Sequence, residues 1–224
     1  MAGSTYDALQ TKKNQLIRKF RNGSVFGAPY ASDPIDTLTD ATDGGLAALP
    51  TGYKDWGWFT DDGLQYSRDV ETSDTTSAGS NEPTRTDIDS DTTSLQVVFQ
   101  ETRLETIGLY MGVDLTAAKA AAGAGAELLI KKPQTPPELY YRVLALAVDE
   151  STGGEIYIAR FFPRAKVTNF GDQQVQRGED AIGYDVTFQA FVDSDYGSSE
   201  GWIFAGPGWE ALLADMGITQ ATGA

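Results

Sequence analysis

The sequence predicts a mainly β chain: a β-sandwich or barrel with one flanking α-helix and a long loop. Three observations carry that expectation. Gly, Thr, Ser and Asp are abundant, with 24 glycines among 224 residues, which is the vocabulary of strands and turns. Several segments alternate apolar and polar residues with period two. The cleanest sets Tyr184, Val186, Phe188, Ala190 and Val192 against Asp185, Thr187 and Gln189. One segment has firm helical spacing: Leu104, Ile107 and Met111 share a packing face, and Gly112 stands at the C-terminal cap position.

Residues 4–21 read as a short amphipathic helix or an extended arm. Lys12, Lys13, Arg18, Lys19 and Arg21 make this segment basic in an otherwise acidic chain. It suits either a neighbouring subunit or a solvated, frayed terminus. Residues 24–28 form a short strand stopped by Pro29, and residues 31–50 lose all periodicity and read as a loop. Residues 56–60 and 64–71 are expected to pair as a hairpin across Asp61-Asp62-Gly63. Residues 72–83 are almost wholly polar and read as a long exposed loop, a feature that is usually functional or disordered.

Two strands follow, at 84–91 and 95–101, then the helix. A second short helix is expected at 114–122, capped by Asp114 or Thr116 and ended by Gly123 and Gly125. A short strand is expected at 127–131. Residues 139–149 are apolar on both faces, so this strand is covered on both sides. The turn at 151–154 links it to a strand at 155–169, in which Pro163 implies a bulge or an edge. Residues 173–180 read as a polar loop. Beyond Asp193 the chain is rich in glycine and aromatics, and a short helix at 209–216 closes it. Trp202, Phe204 and Trp209 serve there as core plugs or as anchors of a C-terminal arm. The expected organisation is an N-terminal arm (1–23), a β domain (24–195) and a C-terminal arm (196–224).

Composition excludes much chemistry. The chain has no cysteine and no histidine. No disulfide can form, and zinc sites of Cys or His ligands are ruled out. Nucleophile pairs that rely on histidine are ruled out too. The formal net charge is −15, which repels free DNA yet suits a wall past which DNA must slide. Solubility alone accounts for such a charge equally simply. No apolar run approaches the length of a membrane span, and the basic start lacks the apolar stretch of a secretory leader.

The remaining motifs are weak. Gly197-Ser198-Ser199-Glu200-Gly201 has the spacing of a nucleophile elbow but no histidine to serve it. Asp87, Asp89 and Asp91 alternate like the start of a calcium loop, but Thr92 and Val98 hold the positions that require Gly and Glu. Gly123-Ala124-Gly125 is an incomplete dinucleotide fingerprint. The carboxylate pairs Asp61/Asp62 and Glu179/Asp180 are best read as solvated turn residues. Residues 31–94 hold fourteen acidic side chains against Lys54, Arg68 and Arg85, which reads as a solvated surface or as an inter-subunit or lumen face.

Four segments in sequence carry a resemblance: Val25-Phe26-Gly27-Ala28-Pro29, then Gly57-Trp58-Phe59-Thr60-Asp61-Asp62-Gly63, then the run from Thr102 to Gly112, then Tyr184-Asp185-Val186-Thr187-Phe188-Gln189-Ala190-Phe191. In this order and spacing, over roughly residues 20–195, the chain resembles the major tail (tail tube) proteins of siphophages. The resemblance implies a non-enzymatic virion protein with no cofactor, assembled in the bacterial host cytoplasm. Six copies would form a ring around an inner barrel, and rings would stack into a tube. Double-stranded DNA and a tape measure protein would occupy the lumen, with tail terminator and distal tail proteins at the ends. The ring-to-ring or inter-subunit contacts would lie in the two loops, at Asp33, Asp36, Asp43, Leu46, Leu49, Thr75 and Glu82, and in the arm, at Lys12 and Arg18. The alternative is a carbohydrate- or surface-binding module, a capsid decoration or adhesion domain, with Trp56, Trp58 and Trp202 stacked on sugars. A hydrolase is the least favoured reading.

Overall fold

A computed structural model of the chain describes residues 5–178 and 181–221. It is mainly β. Strands β1 (Asn22–Pro29), β2 (Lys54–Asp55), β3 (Gln65–Thr76), β4 (Pro83–Phe99), β5 (Tyr141–Ser151), β6 (Gly154–Phe170), β7 (Tyr184–Ala190) and β8 (Gly201–Ala205) form one antiparallel sheet. Its order is β2-β1-β5-β6-β7-β4-β3. Strand β6 is long enough to serve two neighbours on one edge: β8 pairs with Tyr157–Phe161 and β7 with Ala165–Phe170.

The sheet curls until its far sides meet. The segment after β2 is the staple. Trp56 donates its N–H to Val25 O of β1 (3.0 Å). A few residues on, Thr60 N–H donates to Val98 O (3.0 Å) and Gln100 N–H to Trp58 O (2.9 Å), both of the β4 end. Residues 54–60 thus join β1 to β4 and close a barrel around one core. That core holds Val25, Leu95, Val97, Phe99, Val143, Phe162, Val186 and Phe188, with Trp56 among them. The Trp56 indole stacks on Phe188 (5.5 Å between centroids) and meets Phe99 and Tyr141 edge-on. It lies flat against β1 only because residue 27 is glycine; a Cβ there would fall inside the indole.

Alternation explains which side chains enter. In β7 every second residue is buried, as the sequence pattern requires. In β5 both faces are covered: Val143 and Ala145 point into the barrel, whereas Leu144 and Leu146 point outward into a second core. Ile35 and Leu38 from the 31–50 loop, together with Phe161 of β6, complete that second core, and Ile203 of β8 packs against it. Pro163 sits where the β5–β6 register slips, so the expected bulge is present. Helix α2 (Leu104–Met111) lies against the barrel. The hydroxyl of Thr106 accepts from the Arg103 N–H (3.0 Å) and donates to Glu101 O (2.7 Å), and Gly112 ends the helix at φ 65°. Ile107 packs on the main core, Leu104 and Met111 are half-buried, and Leu109 is the fully buried apolar side chain of the helix.

Five expectations are corrected. The segments at 56–60 and 64–71 do not pair with each other. Both run along β4 in one direction, because Asp61-Asp62-Gly63 loops out without reversing the chain. Residues 72–83 are not a loop: β3 continues to Thr76 and β4 starts at Pro83, leaving a short turn. Cross-strand pairs such as Ser73–Asp89 (2.9 Å) and Asp74–Thr86 (2.7 Å) supply what apolar alternation normally would. The strands at 84–91 and 95–101 are one strand, β4. No helix forms at 114–122 and no strand at 127–131; the Asp114 carboxylate accepts from Thr116 N–H (2.9 Å) in a local turn that competes with a helix.

A buried ion pair ties the periphery to the barrel. Arg142 Nη1 lies 3.2 Å from Asp193 Oδ2, and both side chains are buried. Arg142 also donates to Ser32 O (2.6 Å) and Pro163 O (3.0 Å), while Asp193 accepts from Asp195 and Tyr196 N–H (2.9 Å each). One guanidinium therefore holds the start of the loop, the β6 bulge and the turn after β7. Replacement by Arg142→Met leaves Asp193 buried and unpaired and is expected to cost about 3–5 kcal/mol. Trp56→Ala, which empties the centre of the staple, is expected to cost about 3–5 kcal/mol. Urea unfolding midpoints of the two variants measure both effects.

Candidate assembly surfaces

The largest candidate surface is a two-stranded ribbon. Beyond Tyr66 on β3 and before Leu95 on β4, no side chain is buried. Ordinary sheets bury at least one face, and a lone hairpin is marginal in water. Polar pairs hold this one. The Arg68 guanidinium grips the Asp91 carboxylate through two bonds (2.8 and 2.5 Å), and Arg85 pairs with Asp87 (2.7 Å). The hydrogen bond from Arg68, then its charge, holds the Asp91 carboxyl below its ordinary range. The ribbon carries Asp69, Glu71, Asp74, Glu82, Asp87, Asp89 and Asp91 against two arginines. Its register slips between Glu71 and Thr72, where Asp89 is the extra residue. Val70 and Ile88 are apolar yet exposed, Ile88 by 67%. Thr75 and Glu82 lie at the outer end, both exposed.

The ribbon's base is clamped. The Arg160 guanidinium lies between the Tyr66 and Trp202 rings, 3.8 Å from each centroid, and pairs with Glu200 (3.3 Å). The ribbon thereby leaves the body at a fixed point.

The N-terminal arm is extended apart from one helical turn, α1 (Tyr6–Leu9), and a 3-10 turn at Asn14–Leu16. Its inner half is docked on its own chain. Lys13 bonds Asp215 (2.7 Å), Arg18 lies 3.4 Å from Asp149, Lys19 N–H donates to Asp149 (3.1 Å), and Arg21 pairs with Glu150. The hydrogen bonds from Lys13 and Gln15 lower the Asp215 pKa. For Asp149, burial acts to raise the pKa and is outweighed by the Glu150 and Lys19 N–H groups and the Arg18 and Arg21 charges, so its pKa is lowered. The outer half is different. Tyr6 and Leu9 are 71% and 69% exposed, and Lys12 reaches only the Tyr6 ring.

The 31–50 loop is half core and half surface. Ile35 and Leu38 are buried, Leu49 packs on the second core, and Asp33, Asp36, Asp43 and Leu46 face solvent. The segment from residue 196 contributes β8 to the sheet and then two short helices, α3 (Pro207–Glu210) and α4 (Leu213–Met216), where the sequence suggested one. Trp202 and Phe204 stand on the outer face of β8, and Trp209 stacks on Phe204 (4.9 Å).

The weak motifs resolve simply. The Ser198 hydroxyl donates to Glu200 O (2.9 Å) in a turn that leads into a strand, not a helix. Among the described residues no group of carboxylates is placed to hold a metal ion. Glu179/Asp180 lies outside the described residues. Trp56 is buried and unavailable to a sugar, whereas Trp58 is exposed. The ribbon's interlocked polar pairs and the barrel closure are features that single-strand patterns did not signal; Trp56 facing Gly27 was the nearest clue.

The barrel, the bare ribbon and the exposed outer turn of the arm are the surfaces left uncovered by the chain's own packing. The family model described as phage tail tube protein matches residues 11–208, and the chain belongs to that family. No curated protein matches the chain. It is thus a structural, tail-tube component of a virion. No helix among the described residues is long and apolar enough to cross a membrane.

The arm's docking has a pH limit. Asp149 and Asp215 have folded-state pKa values below their unfolded ones, so their contribution is present above the unfolded value and lost as pH falls through the folded one. As pH falls from the ordinary carboxylate range, about 4, through these lowered folded-state values, the segment at residues 13–21 is expected to loosen progressively from the body. Amide-exchange protection factors for 16–21, compared with those of β5, measure this.

Proposed function

We propose that this chain is the major tail tube subunit, stacking as hexameric rings into a hollow tube that conducts phage DNA to the host. The ribbon is the observation that carries the reading. Strand β3 is held by β4 through polar pairs, but it buries no face and ends the sheet order, so its outer edge and flanks are left for a neighbouring copy. Contacts between rings are heterologous and do not close on themselves, so they propagate as a filament. The net charge of −15 keeps DNA mobile in a lumen, because phosphates are repelled where the wall is acidic. In this arrangement the tape measure protein fills the lumen during assembly in the host cytoplasm, and tail terminator and distal tail proteins cap the two ends. The exposed loop residues Asp33, Asp36, Asp43 and Leu46, the ribbon-end residues Thr75 and Glu82, and the arm residue Lys12 are assigned to contacts between subunits; Arg18 is instead taken up by Asp149 of its own chain.

Replacing residues 72–88 by an Asn-Gly turn removes the ribbon's outer half without touching either core. The variant is expected to keep its melting temperature and lose tube formation in negative-stain micrographs. Tubes of normal width from this variant, or localisation of the protein outside the tail in virions, would overturn the reading.

A further inference from the structure

An apolar cleft of about 330 Å³ opens between β1 and α2, at the end of the barrel opposite the arm. Gly27, Trp56, Leu104, Leu109, Val113 and Tyr141 wall it. Glu105, bonded to Lys54 (2.7 Å), and Asp114 stand at its rim. The arm presents the complementary shape. Tyr6 and Leu9 are three residues apart on one helical turn, so they share a face, and among the described residues that face is mostly bare, with Lys12 above the Tyr6 ring (6.0 Å).

Geometry excludes the anchor's own cleft. Strand β5 has Tyr141 of the cleft at one end and Ser151 at the other, so at about 3.3 Å per residue the two lie roughly 33 Å apart. The arm is fixed at the Ser151 end. Lys13 is bonded to Asp215 and Lys19 to Asp149, and Gly153 abuts Ala211 just before α4. From Lys13 to Leu9 is four residues, a reach of at most about 14 Å. A second copy stacked end to end has no such gap to span. Charge at the rim points the same way: Lys13, Arg18 and Arg21 are paired with Asp215, Asp149 and Glu150 of their own chain, whereas Lys12 makes no ion pair among the described residues and would face Glu105 and Asp114 of the next copy.

We infer that the Tyr6–Leu9 turn of one copy inserts into the Trp56 cleft of the next, as a head-to-tail plug that sets the stacking direction. This deepens the tube reading and rests on it only for the stacking. The experiment uses the absence of native cysteine. Full-length Leu9→Cys and Thr116→Cys chains, both exposed positions, are mixed and oxidised, in solution and as tubes. A mixed disulfide dimer is expected, and adding Tyr6→Ser to the Leu9→Cys chain should abolish it. Separately, Tyr6→Ser/Leu9→Ser should raise the critical concentration for assembly at least ~10-fold with the melting temperature unchanged. Tubes that form without the disulfide and ignore the serine pair would overturn the plug and leave the tube reading intact. The disulfide in soluble protein that never makes tubes would support the plug and overturn the tube. Neither product would overturn both.

Discussion

The structure depends on one closure: residues 54–60 bonded to β1 on one side and to the β4 end on the other, with the Trp56 indole held inside. Without that join the sheet would be an open, strongly curved ribbon with a wet concave face. With it, the inward residues of β1, β4, β5, β6 and β7 share one dry interior, and the barrel has a definite top and bottom. The rest follows from where the closure stops. It uses only the last residues of β4, so the first two-thirds of that strand and nearly all of β3 run past the barrel into solvent.

That excess defines the molecule's chemistry. Several charged side chains serve geometry. Arg142 and Asp193 spend their charges holding three backbone segments together. Arg160 is a spacer between two rings. The acidic side chains of the ribbon pair with hydroxyls and arginines across strands. The leftover strand length gives this tail tube protein a large, directional exposed surface.

Much of this was legible in the sequence. Period-two alternation identified β7 and the inner part of β4, and two-sided apolarity identified β5 as the covered central strand. The helix was visible from spacing and from Gly112. The misreadings share a cause. Residues 72–83 looked like a loop because the outer ribbon has no apolar face to alternate. Asp61-Asp62-Gly63 looked like a hairpin turn because local turn chemistry does not reveal whether a chain reverses or merely bulges. Residues 114–122 looked helical from alanines and a cap, but few apolar side chains there find a surface to bury. The candidate contacts were legible only as exposed or charged residues, since the cleft joins positions from Gly27 to Tyr141.

The slip at Asp89 has a consequence for the unassembled protein. A straight, flat pair of strands with one bare edge would be a template on which identical pairs accumulate side by side as insoluble fibrils. The additional residue coils the ribbon about its axis, so two such ribbons cannot lie in register over their length, and like-signed carboxylates drive them apart. An exposed ribbon of this kind can therefore stand free of the body while its copies remain dispersed.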